Sequence, residues 1–140
     1  MSSKKESSKM WETIEKDENL VGNALQLAKR DLKTAENVFS DKDYDWAFAI
    51  SYNAMLQAGR ALMFSEGFRP KGEYQHVSVV EFVRMRFGGQ FAEKILFMFD
   101  KIRKKRHVAV YEQVNIISKE EAEKALMVAK EFVRTVEGLL

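Results

Sequence analysis

Within Lys101-Ile102-Arg103-Lys104-Lys105-Arg106 every residue except Ile102 is basic, and the run leads straight into His107-Val108-Ala109-Val110-Tyr111. Two readings are open for such a run. A charge run is commonly a solvated helical face. Lys and Arg gathered along one helix are also the electrostatic footprint that an RNA backbone or a nucleotide requires. Spacing adds detail: on a helix, Arg103, His107 and Tyr111 follow one another every fourth residue and so share a face. A cation, a group that titrates near neutrality and a phenol then stand in one line. Cleavage of RNA through its own 2′-hydroxyl needs groups of this kind: a base to take the hydroxyl proton and a fixed cation to stabilise the charged phosphorane. Histidine suits the first role because its ordinary pKa is about 6.5. The plainer alternative for His107, beside Val108 and Val110, is packing or a helix-end hydrogen bond.

His76, the other histidine, follows Glu73-Tyr74-Gln75 near the start of a short helix. Local capping or packing is its simplest role, and a ligand contact is the alternative. Two histidines, no cysteine and no carboxylate pair at metal-ligand spacing give no reason to expect a metal site. The sequence contains no glycine-rich phosphate loop, nucleophile elbow or dinucleotide fingerprint, so no cofactor is expected. With 23 basic against 21 acidic residues the net charge is +2, so an electrostatic argument must be local rather than global.

The elements that must carry these residues follow from hydrophobic periodicity. A chain of 140 residues with one proline and seven glycines has few breakers, which points to long helices and an all-α class. Residues 1–9 read as a flexible Ser/Lys/Glu-rich tail and 10–140 as one helical domain. From Asn19, the residues Val21, Leu25, Ala28, Leu32, Ala35 and Phe39 form one buried stripe, with Lys29, Arg30, Asp31, Lys33 and Glu36 on the wet side. After the polar break Ser40–Asp43, the segment Tyr44–Glu66 reads as a second helix ending at Gly67. It is apolar around most of its circumference, as a central helix should be. Its small residues Ala54, Ala58, Gly59 and Ala61 would let another helix approach closely.

Phe68–Gly72 then reads as a turn, His76–Phe87 as a third helix stopped by Gly88-Gly89, and a fourth helix starts near Phe91 and runs through the basic segment. Ser118-Lys119-Glu120-Glu121 has the form of a capping box opening a last helix. Trp46, Tyr52, Phe64, Phe82, Phe97 and Phe99 sit at helical spacing among aliphatics and are expected in the core. No apolar stretch approaches the roughly 20 residues that cross a bilayer, and the first residues lack an apolar signal core. Without cysteine as well, a cytoplasmic location is expected, and no membrane association.

The central helix carries a resemblance. Its Trp46-Ala47, Tyr52-Asn53-Ala54-Met55 and Ala58-Gly59-Arg60-Ala61-Leu62, followed by Gly67-Phe68-Arg69, resemble the prokaryotic helix that usually reads WA…AYYAMFHAARALL…GYR. This is a mark of the HEPN (higher eukaryotes and prokaryotes nucleotide-binding) superfamily. Arg106–Tyr111 and the alanine-rich closing helix look like the rest of that domain, and the resemblance spans about residues 20–138.

It implies a four- to five-helix up-and-down bundle that forms a homodimer, often paired with a minimal nucleotidyltransferase as a toxin–antitoxin-like system. Active members are metal-independent endoribonucleases with an arginine followed, after four to six residues, by a histidine, both protomers contributing to one cleft. Arg106 matches that arginine. Tyr111 stands in the histidine slot, and a phenol with a pKa near 10 is a poor base at neutral pH. His107 occupies a position commonly filled by asparagine, and His76 resembles a histidine often found after the Gly-aromatic-Arg turn.

The residues expected to matter are therefore Arg106, His107 and Tyr111 for chemistry, and Lys101, Arg103, Lys104, Lys105 and His76 for holding phosphate. The function expected is RNA, nucleotide or partner binding. Endoribonuclease activity from a composite Arg/His site and a non-catalytic scaffold role are the alternatives.

Overall fold

The computed structural model describes residues 10–140, so the expected tail at 1–9 lies outside the described residues. Five helices dominate: α1 (Glu18–Ser40), α2 (Tyr44–Ser65), α3 (Gln75–Phe87), α4 (Glu93–Tyr111) and α5 (Lys119–Leu139). The all-α expectation holds, with one addition. Phe68–Pro70, expected as a turn, is a short strand (β2) paired antiparallel with β1 (Trp11–Thr13) in the register Trp11↔Pro70, Glu12↔Arg69 and Thr13↔Phe68. Three residues are too few to display the alternation of a strand, and their partner lies far off in sequence. Trp11 anchors this ribbon, fully buried with its ring edge-on to Phe82 at 5.3 Å.

Short polar side chains cap the starts of α1, α2 and α5. The Asp17 carboxylate accepts from the Asn19 amide at 2.9 Å and that of Asp43 from the Trp46 amide at 3.3 Å. Each thereby satisfies a donor that the first helical turn leaves open. At α5 the capping box is complete: Ser118 Oγ accepts from the Glu121 amide at 3.0 Å, and Glu121 accepts from the Ser118 amide at 3.1 Å. We expect Ser118→Ala to cost about 1 kcal/mol and to lower the melting temperature by about 3–4 °C in calorimetry. An unchanged melting temperature would show that the box does not hold α5 in solution.

The core collects around α2, which packs against all four other helices and β2. Its buried residues run from Ala47 through Phe64 on several sides, as a central helix requires. Gly59 lies at a close approach to α3: a Cβ there would lie 2.5 Å from Val79 Cγ1 and 3.5 Å from Val83 Cγ2. The helix admitted by the small-residue stripe is thus the one that carries His76. On α5, Phe132 is fully buried between Phe91 and Phe99, at centroid distances of 4.8 and 4.9 Å.

Three assignments differ from expectation. Trp46 (50 % exposed) and Phe97 (63 % exposed) face outward rather than into the core, because Ala47 and Phe48 on α2, and Leu96 and Phe99 on α4, already fill the inward positions. Asp31, expected on the wet side of α1, is buried and paired to Arg30 at 2.9 Å. Among the described residues, no helix is long and apolar enough to cross a membrane.

Candidate functional site

The rotation of α4 decides which basic residues act together. Ile95, Leu96, Phe99 and Ile102 point into the core. At about 100° per residue, burial of Ile102 sends the cations beside it to opposite flanks. Lys101 and Lys105 fall on the α5 side, near Phe48, Met98 and Lys124, where Lys105 pairs with the capping residue Glu121. Arg103, Lys104, Arg106, His107 and Tyr111 fall on the other side. There they face Glu73, Tyr74, Gln75, His76 and Val77, from the start of α3 and the turn before it, across an open cleft of about 630 Å³. The basic run is therefore not one strip. The connection between α4 and α5 is tied to the start of α2, since the Asp45 carboxylate accepts from the amides of Asn115 at 2.5 Å and Ile117 at 3.1 Å.

The arginines of the cleft are in different states. Arg103 places Nε and Nη2 on the same oxygen of Asp100, each at 3.0 Å, and Lys104 reaches the other oxygen at 3.4 Å. Burial alone would raise the Asp100 carboxyl, but hydrogen bonds and charge from Arg103 and Lys104 outweigh it and hold the group below its ordinary value. Arg106 has no carboxylate partner among the described residues. Its guanidinium lies 5.6 Å from the Tyr52 ring centroid and 5.8 Å from that of Tyr111, and its Nε is buried with no hydrogen-bond acceptor. Arg60, on α2, also leaves its Nε buried and unpartnered, with its guanidinium 5.8 Å from the Phe64 ring.

Both histidines line the cleft. The ring of His107 packs against Tyr111, with centroids 5.1 Å apart. His76 is half-buried, and its Nδ1 lies 3.1 Å from the Tyr52 hydroxyl. Burial, followed by the charges of Arg106, Arg103 and Arg60, lowers the His76 pKa from its ordinary 6.5, so the ring is neutral at pH 7. Burial pushes the Tyr52 phenol well above its usual value, so it stays protonated.

The structure thus brings together Arg103, Lys104, Arg106, His107, Tyr111 and His76, and leaves Lys101 and Lys105 elsewhere. Three contributors are not evident from the sequence pattern. Tyr52 has only the spacing of a core residue, yet its hydroxyl holds His76. Tyr74, 70 % exposed, lines the cleft opposite α4. Arg60 had one available signal, a cation interrupting the most apolar helix. Among the described residues no cluster of three or more His, Asp or Glu side chains is placed to hold a metal ion. What the arrangement can do is bind an anion: an unpaired guanidinium, a second one held in place by its carboxylate and two imidazoles surround an open volume.

Comparison with known proteins places the fold. The solved structure of TT1696 from Thermus thermophilus superposes with a TM-score of 0.70 at 18 % identity, covering 86 % of this chain and 98 % of that one. ST0689, described as an archaeal HEPN homologue, superposes at 0.65 with 19 % identity, covering 85 % of this chain and 96 % of its own. No curated protein matches in sequence. The family model of the HEPN domain matches residues 22–139, which include every helix that lines the cleft, and the chain therefore belongs to the HEPN family.

Proposed function

We propose that the chain binds RNA or a nucleotide through phosphate contacts in the cleft between α3 and α4. In this reading it works as a homodimer within a toxin–antitoxin-like pair whose other member is a minimal nucleotidyltransferase. The observation that carries the binding reading is Arg106, a guanidinium beside an open cleft with no carboxylate partner among the described residues and a buried, unpartnered Nε. With no carboxylate among the described residues to neutralise it, this guanidinium can give a phosphate oxygen in the cleft a charge-assisted hydrogen bond through its terminal nitrogens. Family membership supports the dimer and the nucleotidyltransferase partner.

The test is binding of a labelled single-stranded RNA followed by fluorescence anisotropy across a salt series. Arg103, Lys104 and Arg106 together engage about three phosphates, so log K should fall against log salt with a slope of about −2. A salt-independent affinity, or none, would refute the phosphate reading. Co-expression with a neighbouring nucleotidyltransferase gene and recovery of a stable complex tests the partner.

A second reading, metal-independent endoribonuclease activity, is favoured by Arg106 and His107 lining the same cleft. It requires RNA cleavage in EDTA leaving cyclic phosphate ends, abolished in both Arg106→Ala and His107→Ala. Equal cleavage by wild type and both variants would mark a contaminating nuclease.

A further inference from the structure

His76 lines the cleft together with Arg106 and Arg103 of α4, and Arg106 leaves a buried Nε donor without an acceptor. Its Nδ1 is engaged by the Tyr52 hydroxyl at 3.1 Å, so Nε2 is the ring nitrogen left for a ligand. The charged surroundings of the ring are lopsided. From α2 come Tyr52 and Arg60. From α4 come Arg103 and Arg106, with Lys104, His107 and Tyr111 lining the same cleft, and Asp100 already engaged by Arg103 and Lys104. From its own segment come Glu73 and Tyr74. The cleft thus holds more positive charge than its carboxylates balance, and that excess helps to keep the imidazole uncharged.

We propose that His76, positioned by Tyr52, is a ligand of a phosphodiester in this cleft and that its ring takes up one proton from solvent when the phosphate binds. This rests on the phosphate-binding reading above. The anion offsets the charges of Arg103 and Arg106, which removes part of the reason for the ring to stay neutral. In the bound state Nδ1–H donates to the Tyr52 hydroxyl oxygen and Nε2–H donates to a phosphate oxygen, a charge-assisted hydrogen bond. The direction follows from linkage. The free ring titrates below 6.5 and the bound ring titrates higher, so binding takes up a proton between those two values. Affinity therefore rises as pH falls through that window and is level above it.

The experiment uses a labelled oligouridine without terminal phosphates, whose diesters keep their charge across the range, titrated against the full chain between about pH 5.5 and about pH 8. One pKa unit of coupling gives about tenfold tighter binding at the acid end. The rise should vanish in His76→Asn, shrink in Tyr52→Phe and persist in His107→Asn, even where the last binds more weakly overall. Independently of any variant, the NMR titration of the His76 ring in the wild-type chain should move to higher pH when the oligouridine is added. Binding by wild type with no pH dependence, or a dependence lost only in His107→Asn, overturns the role of His76 while leaving the cleft as the RNA site. No binding at any pH overturns both.

Discussion

Arg106→Ala is expected to weaken RNA binding about ten- to hundredfold, the equivalent of one charge-assisted hydrogen bond of about 1.5–3 kcal/mol. The same substitution should lower the melting temperature only modestly, because it removes ring contacts with Tyr52 and Tyr111 but no carboxylate pairing among the described residues, and the Nε is already unsatisfied in the free chain. That contrast, large on binding and small on stability, separates a ligand-binding arginine from a structural one. Arg106→Lys should fall between the two, since lysine restores the charge without the planar fork. Arg103→Ala is expected to lose less, because its guanidinium is already engaged by Asp100 and is less free to serve a phosphate. Lys101→Ala and Lys105→Ala, on the opposite flank of α4, should matter least. Anisotropy with the same labelled RNA gives the comparison, and wild-type affinity in Arg106→Ala would remove the residue from the site.

The second large effect is structural and reaches the site indirectly. Gly59→Leu should cost about 3 kcal/mol or more and lower the melting temperature by about 10 °C. A Cβ at this position already falls 2.5 Å from Val79 Cγ1, and Val79 is a short, β-branched side chain that is 1 % exposed and has no free rotamer to retreat into. Relief requires α3 to move away from α2. His76 rides on the first turn of α3 and its hydrogen bond runs to Tyr52 on α2, so the same displacement should break that pair. Thermal melting measures the first consequence and RNA anisotropy on the folded fraction the second. Gly59→Ala should show a smaller loss, since alanine regains up to about 1 kcal/mol of helix propensity against the same clash. A Gly59→Leu chain as stable as wild type would mean that the two helices are not in contact as described.

Much of the scaffold was legible because its causes are local. The stripe on α1 repeats at three and four residues, and its members are buried or packed against the core as that period implies. The capping box at Ser118 and Glu121 is a short-range chemical pattern, and it forms as written. The apolar residues around most of the circumference of α2 placed it at the centre, and the small residues around Gly59 allowed a close neighbour without naming which helix it would be. The match of the central helix to the HEPN pattern added the family. Where reading failed, the determinant was a partner distant in sequence: β2 is defined only by Trp11–Thr13, and Trp46 and Phe97 are exposed only because neighbouring positions had already filled the core.

The candidate site divides along the same line. Sequence alone determined that Arg103, His107 and Tyr111 share a helix face, because the helical repeat is a property of the backbone and needs no partner. It could not determine which flank of α4 each cation of the basic run would take, since that depends on Ile102 being turned inward by packing against other elements. Nor could it bring His76 to this cleft or join it to Tyr52, a contact between residues 24 positions apart made only when α3 closes on α2. Whether Arg106 would keep its charge unpaired was likewise a tertiary matter: Asp100 lies within reach of both Arg103 and Lys104 on the same helix, and among the described residues the fold supplied no second carboxylate for Arg106.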